Sequence, residues 1–127
     1  IKKKFHLRLF LPTKSDNNHN EKKNRMSIER IASINGNEVT LEIKGNFDAT
    51  IYDDFKMAFS DTLGTVKTYE VDLSGVTYMD STALGFLIML RDHAGSIHAN
   101  IKVCNPSEYA RNKLKKALFH KIFEITP

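Results

Sequence analysis

Three consecutive side chains that carry oxygen atoms, Asp80, Ser81 and Thr82, stand just before the apolar segment 83–90. A serine hydroxyl acts as a nucleophile when a base lies within reach and a further group orients that base. A hydroxyl can also accept a phosphoryl group. A carboxylate or hydroxyl ahead of an apolar helical run can cap the helix by accepting bonds from its first N–H groups. The cluster therefore points to one of three roles: nucleophile, phosphate acceptor or helix cap.

Nucleophilic chemistry at Ser81 lacks recognisable partners in the sequence. The histidines are His6, His19, His93, His98 and His120, and none follows a catalytic motif spacing. The turn does not match Gly-x-Ser-x-Gly, and there is no glycine-rich phosphate loop. Cys104 lies in an apolar segment and is expected to be a buried small residue rather than a nucleophile. A zinc site would need clustered Cys and His ligands, and the sequence has no such cluster. We expect a protein that is not an enzyme and has no metal or cofactor.

Composition and charge limit the remaining classes. The 127 residues suit one domain, and the single cysteine, Cys104, fits a reducing cytoplasm because it cannot form an internal disulfide. No apolar run approaches the roughly 18 residues that span a bilayer. Residues 1–25 carry eight Lys/Arg against two acidic residues, so the remaining chain has a net charge of −2 within the total of +4. We therefore expect residues 26–127 to bind neither nucleic acid nor membrane.

Residues 1–25 begin with an apolar and basic segment that ends near Pro12, and the polar run 13–25 that follows shows no hydrophobic periodicity. Such a stretch cannot bury enough apolar surface to offset the entropy of ordering it. We expect residues 1–25 to be a disordered leader, derived from a tag or from upstream sequence, with Met26 as the natural start of a single domain over 26–127. The alternative is a basic arm that docks on acidic or phosphate groups, including those of DNA.

The elements that must position the Asp80–Thr82 cluster alternate along the chain. Residues 28–34 and 38–44 flank Asn35-Gly36, which is typical of a tight hairpin. Apolar periodicity predicts helices over 50–63, over 82–93 and after Ser107, and strands over 67–73, 97–105 and 122–125. Ser74-Gly75 is expected to end the third strand in a turn, and Gly85 to mark a close approach to a neighbouring backbone. The order β-β-α-β-α-β-α-β predicts an α/β fold with a mixed sheet.

A phosphate on Ser81 would affect the fold and a partner differently. It would add a charge of about −1.5 to −2, which a helix N-terminus stabilises by about 0.3–1 kcal/mol in exposed settings. A protein packed over Ser81 would be repelled, above all one with carboxylates of its own, and Asp80 already adds negative charge there. Ser81 is therefore a workable switch for association, while the helix-cap interpretation stays open.

The segment DLSGV at 72–76, followed by YMDSTALG at 78–85, resembles the signature of STAS domains of the anti-sigma factor antagonist class. Ala83 stands where many members have glycine. The resemblance covers residues 26–127 and excludes the leader. It implies an α/β fold with a mixed β-sheet of four to five strands and helices packed mainly on one side.

The resemblance also implies a function. Ser81 would be phosphorylated by a serine kinase, often the anti-sigma factor itself, and a serine phosphatase would reset it, with Thr82 as a second candidate phosphosite. The unphosphorylated form would bind the kinase, and phosphorylation would release it. The expected partner-binding residues are Asp48, Asp80, Ser81, Thr82, Ala83 and Gly85. We expect a cytoplasmic monomer or weak dimer.

STAS domains outside sigma control offer an alternative. They include regulators of biofilm or secretion pathways, stressosome-type scaffolds and transporter tails. A ligand-binding or scaffold STAS domain, in which Ser81 is only a helix cap, therefore also stays open at this point.

Overall fold

The structure of the protein, a computed structural model, describes residues 7–10, 27–60 and 64–127. The elements, in chain order, are β1 (Leu7–Phe10), β2 (Ser27–Ala32), β3 (Glu38–Phe47), a 3-10 turn (Ala49–Ile51), α1 (Tyr52–Ser60), β4 (Thr68–Met79), α2 (Ser81–Ser96), β5 (Asn100–Cys104), α3 (Glu108–Lys116), a second 3-10 turn (Phe119–Lys121) and β6 (Glu124–Ile125). Apart from β1, this is the order that the sequence predicts.

The strands form one mixed sheet in which their spatial order follows the chain order from β1 to β6. The pairs β1–β2 and β2–β3 are antiparallel, while β3–β4, β4–β5 and β5–β6 are parallel. Gly36, at a φ of +75°, supplies the left-handed conformation in the turn between β2 and β3. Parallel neighbours need crossover connections, and α1, α2 and α3 provide them. The predicted α/β class with a mixed sheet is confirmed.

The helices cover one face of the sheet. The strand side chains on that face are buried, namely Val39, Leu41 and Ile43 of β3 and Tyr69, Val71 and Leu73 of β4. The helices contribute Phe55 and Phe59, Leu87 and Leu90, and Ala110 and Leu114 to the same core. On the opposite face, the alternating residues Thr40, Glu42, Glu70 and Asp72 are half-exposed. Alternation between apolar and polar residues along β3 and β4 thus sets which face the helices pack on.

The expected turn at Ser74-Gly75 is instead part of β4, and that prediction is wrong. β4 continues to Met79, with register shifts against β3 on both sides of the Lys44–Gly75 pair. The Asp72 carboxylate accepts a hydrogen bond of 2.9 Å from the Ser74 N–H. Polar and glycine residues therefore support an irregularity within a long strand here, as in β-bulges.

Two other predictions need correction. Leu7–Phe10 form β1 and pair with β2, so these four residues of the expected disordered leader have regular structure. Residues 1–6 and 11–26 lie outside the described residues. The helix expected over 50–63 begins as a 3-10 turn, which is capped by Asp48. The chain becomes α-helical only over Tyr52–Ser60. Residues 61–63 also lie outside the described part.

Candidate functional site

The candidate site lies where β3 and β4 end side by side. These strands are parallel, and their last paired residues are Phe47 and Met79. Asp48 and Asp80 come directly after that pair, on backbones about 4.8 Å apart in a sheet. Residues that are 32 positions apart in the sequence are therefore neighbours at the carboxyl edge of the sheet. Ligand sites of open α/β sheets are commonly found at this edge.

Asp80 is the N-cap of α2. Its backbone is extended, and its carboxylate accepts a hydrogen bond of 3.1 Å from the Ala83 N–H. Its carbonyl oxygen accepts the bond from Leu84 N–H at 3.3 Å. Ser81 and Thr82 are the first two residues of the helix and are exposed. The cap interpretation thus holds for Asp80, while Ser81 presents its hydroxyl at the surface of the first helical turn.

The cap allows a stability test. Asp80→Ala removes the acceptor for the Ala83 N–H, so we expect the free energy of unfolding to fall by about 1 kcal/mol. Asp80→Asn keeps an acceptor oxygen and is expected to stay within about 0.5 kcal/mol of wild type. Urea denaturation followed by circular dichroism measures both. Equal losses in the two variants would contradict the capping role.

Asp48 is also an N-cap, and it follows β3, the strand that pairs with β4. Its carboxylate accepts a bond from the Thr50 N–H at 3.0 Å and another from the Thr50 hydroxyl. These bonds cap the 3-10 turn that starts α1 and hold the carboxylate at the sheet edge. Two capping carboxylates, of Asp48 and Asp80, thus lie at the sheet edge where Ser81 is exposed, and each adds negative charge to that edge.

The structure corrects one prediction at each of two expected partner-binding residues, Ala83 and Gly85. The side chain of Ala83 is fully buried in the core, which removes it from the partner-binding surface. Gly85 is exposed on α2, and no atom of another described element lies within 4 Å of the Cβ that a substitution would add. The predicted close backbone approach at Gly85 is therefore wrong. Its exposed position leaves the partner-binding prediction standing.

An aromatic cluster packs the beginning of α2 against β3 and α1. Phe86 is only 7% exposed, and its ring centroid lies 5.6 Å from those of Tyr52 and Phe55 and 6.1 Å from that of Phe47. Tilted or offset rings at these separations are favourable contacts. The cluster joins the end of β3, the start of α1 and the first turns of α2. It therefore fixes the helix that presents Ser81.

Sequence reasoning missed two groups of exposed tyrosines near this edge. Tyr52 is 41% exposed, and Lys56 Nζ lies 5.9 Å above its ring centroid. Tyr109 is 38% exposed, and Lys113 Nζ lies 5.9 Å above its ring centroid in the same way. Both pairs have the i, i+4 spacing of helical neighbours, which is a signal that the sequence contains. Tyr78, 42% exposed, contacts Tyr109 at 5.9 Å between centroids.

The other groups considered for chemistry lie away from Ser81. Cys104 is half-buried on β5 and aligned with Asp72 of β4, and its burial raises the pKa of the thiol, which keeps it protonated near neutral pH. His93, towards the end of α2, has Nε2 3.2 Å from the Tyr69 hydroxyl. Residues 7–10, 27–60 and 64–127 contain no cluster of three potential metal ligands. None of the helices in these ranges has the length and apolar character needed to cross a membrane.

Comparison with known proteins identifies relatives by sequence. Residues 32–126 match the family described as Mlab, STAS domain. A STAS-domain containing protein of Pseudomonas aeruginosa (strain UCBPP-PA14) is 41% identical over 101 residues, which cover 80% of this chain and 100% of the relative.

Solved structures share the fold at low sequence identity. The anti-sigma factor antagonist SpoIIAA in its unphosphorylated form superposes with a TM-score of 0.67 at 14% identity, covering 79% of this chain and 88% of that one. An anti-sigma factor antagonist from Mycobacterium paratuberculosis gives a TM-score of 0.67 at 15% identity, covering 82% and 87%. The sheet with helices on one face is thus the arrangement of these proteins.

Proposed function

This chain belongs to the STAS domain family, and on that premise we propose that it is a regulatory, non-enzymatic module whose binding to a protein partner is switched by phosphorylation of Ser81. The unphosphorylated form binds an anti-sigma factor that is also a serine kinase. Transfer of a phosphoryl group from ATP to the Ser81 hydroxyl releases the partner, and a serine phosphatase restores binding. We expect this switch to operate in the cytoplasm, where ATP is available to the kinase.

One observation carries the proposal: Asp80 caps α2, and Ser81 is exposed directly after it. Because the carboxylate of Asp80 already fills the capping position, the Ser81 hydroxyl is not needed there. The N–H groups of Ser81 and Thr82 belong to the first helical turn, which has no preceding turn to bond to. They can accommodate a phosphate, since a helix N-terminus favours anions.

The charge balance at the site explains why phosphate would release a partner. The capping carboxylates of Asp48 and Asp80 already lie at this edge. A phosphate of charge about −1.5 to −2 on Ser81 adds to them at the centre of the surface that a partner would cover. In the free protein, water screens the charge of the phosphate. In the complex, the phosphate would lose this water while it lies beside like charges. Phosphorylation therefore costs little in the free protein and much in the complex.

The solved relatives support this proposal through their fold. Both are anti-sigma factor antagonists, and one was determined in a form named as unphosphorylated. The alternative, a scaffold or ligand-binding STAS domain with Ser81 as a cap only, gains no support from α2, because its cap is Asp80. Asp48, Thr82 and Gly85 remain proposed contact residues around Ser81, with Thr82 as the second candidate phosphosite.

The test compares capture by Ser81→Ala and by Ser81→Asp from a lysate of the source cells. We expect Ser81→Ala to retain the kinase and Ser81→Asp to bind the same purified protein at least about thirtyfold more weakly, which is about 2 kcal/mol. Isothermal titration calorimetry measures the affinities. With ATP, the purified kinase is expected to place one phosphate on the wild type and on Thr82→Ala, and none on Ser81→Ala.

A charge control separates a local effect from a general one. Ser96→Asp places the same charge on the exposed far end of α2 and is expected to bind the kinase as the wild type does. The proposal fails if Ser81→Asp and Ser81→Ala bind every captured protein equally. It fails equally if the phosphate is found at a residue other than Ser81.

A further inference from the structure

The carboxyl edge of the sheet continues onto α3 through a pair of exposed tyrosines whose rings are in tilted contact. Tyr78 lies two residues before Asp80 at the end of β4, and its ring contacts that of Tyr109 on α3. The start of α3 is tied to the same strand, because the Ser107 hydroxyl donates a 2.6 Å bond to the Val76 carbonyl and its N–H donates a 3.1 Å bond to that of Leu73. The tyrosines are therefore held in place beside the Ser81 turn.

The positive charge of the described domain is concentrated on this helix. After Glu108 in its first turn, α3 carries Arg111, Lys113, Lys115 and Lys116, of which Lys113 is half-buried and the others are exposed. Lys113 lies above the Tyr109 ring. The corresponding Tyr52–Lys56 pair on α1 has the same distance between Nζ and the ring centroid, but Asp53 and Asp54 lie between its two residues in the first turn of the helix. The two pairs thus differ in the charge around them and in the ring that each tyrosine contacts, which is Tyr78 for Tyr109 and Phe86 for Tyr52.

We propose that Tyr78, Tyr109 and Lys113 anchor a second contact region, which binds a segment of the partner that presents a carboxylate beside an apolar side chain. This inference rests on the proposed function and names the chemistry of the partner. Rigid tyrosines at low entropic cost are typical energetic centres of interfaces, and Lys113 supplies the complementary charge. A carboxylate-bearing partner held here is also the kind that a phosphate on Ser81 would repel.

The geometry of α3 favours a protein partner over a lipid surface. Its apolar stripe, Ala110 and Leu114, is buried in the core and is not available to enter a bilayer. A helix that lies in a membrane interface inserts such a stripe. The exposed aromatic groups beside α3 are instead the rings of Tyr78 and Tyr109, which are 42% and 38% exposed.

The experiment uses the kinase captured by Ser81→Ala and released by Ser81→Asp, purified and titrated against variants of the full chain. We expect Tyr109→Ala and Lys113→Glu each to weaken binding by about tenfold or more, and added NaCl to weaken wild-type binding more than that of Lys113→Glu. Lys56→Glu and Met57→Ala, at two exposed positions of α1, are the controls and are expected to bind within about threefold of the wild type.

Several outcomes would overturn the inference. Wild-type affinity in both α3 variants, or equal losses in the α1 controls, contradicts it while the Ser81 switch stands. Sedimentation with vesicles rich in anionic lipid that Lys113→Glu abolishes would assign the surface to a membrane instead. If no protein is retained by Ser81→Ala and released by Ser81→Asp, the proposed function and this inference fail together. Circular dichroism of each variant checks that the fold is kept. The effect of NaCl on wild-type binding tests the contribution of charge without any substitution.

Discussion

Replacing Phe86 by alanine is expected to lower the free energy of unfolding by about 3–5 kcal/mol, the usual loss for a large buried aromatic side chain. Phe86 is 7% exposed and contacts the rings of Phe47, Tyr52 and Phe55. The substitution leaves a cavity where β3, α1 and α2 meet, and close-packed surroundings collapse only partly around it. Since domains of this size are stable by about 5–15 kcal/mol, this loss is a large share.

Two variants show whether packing causes the loss. Phe86→Leu keeps an apolar side chain of intermediate size, so we expect a loss smaller than that of Phe86→Ala. Tyr109→Ala removes an aromatic side chain that is 38% exposed and should cost less, about 1 kcal/mol. Urea denaturation at one temperature compares all three. A loss in Phe86→Ala no greater than in Tyr109→Ala would show that the cluster does not support α2.

The fold could be predicted from the sequence wherever the apolar pattern had a single period. β3 alternates strictly between buried and half-exposed residues over 38–43, and the order of strands and helices follows from such segments. β1 was missed because its four residues, Leu-Arg-Leu-Phe, are too few to establish a period and Phe10 breaks the alternation. The Ser74-Gly75 prediction failed because glycine and serine punctuate turns and bulges alike.

The site could be predicted as a local motif but not as a surface. Asp80, Ser81 and Thr82 are contiguous, so the helix start was evident from their order. The position of Asp48 beside Asp80 depends on the parallel register of β3 and β4, which the sequence does not specify. Burial of Ala83 and exposure of Gly85 likewise depend on which side of α2 faces the sheet. A helix that is apolar over most of its length does not reveal that side.

Alanine at Gly75 is expected to destabilise the protein by about 1–3 kcal/mol, because an added Cβ would overlap β3. The Cβ would lie 2.7 Å from Lys44 Cγ, 3.3 Å from Lys44 Cβ and 3.4 Å from Lys44 Cα. The first of these contacts is closer than non-bonded carbons approach, so either the Lys44 side chain must move or the two strands must shift. Such a shift would also move the end of β4, which leads into Asp80 and Ser81.

Two comparisons identify the cause of the Gly75 effect. Lys44→Ala removes Cγ, so in that background Gly75→Ala should cost less, and a double-mutant cycle measures the difference. Gly85→Ala is the matched substitution at a site where no other described element comes within 4 Å. In the middle of an exposed helical surface it should stabilise the protein by about 0.5–1 kcal/mol. The same chemical change is thus expected to have opposite signs at the two glycines in urea denaturation. Destabilisation of equal size at both would contradict the close approach of Lys44 as the cause, because Gly85 has no such contact.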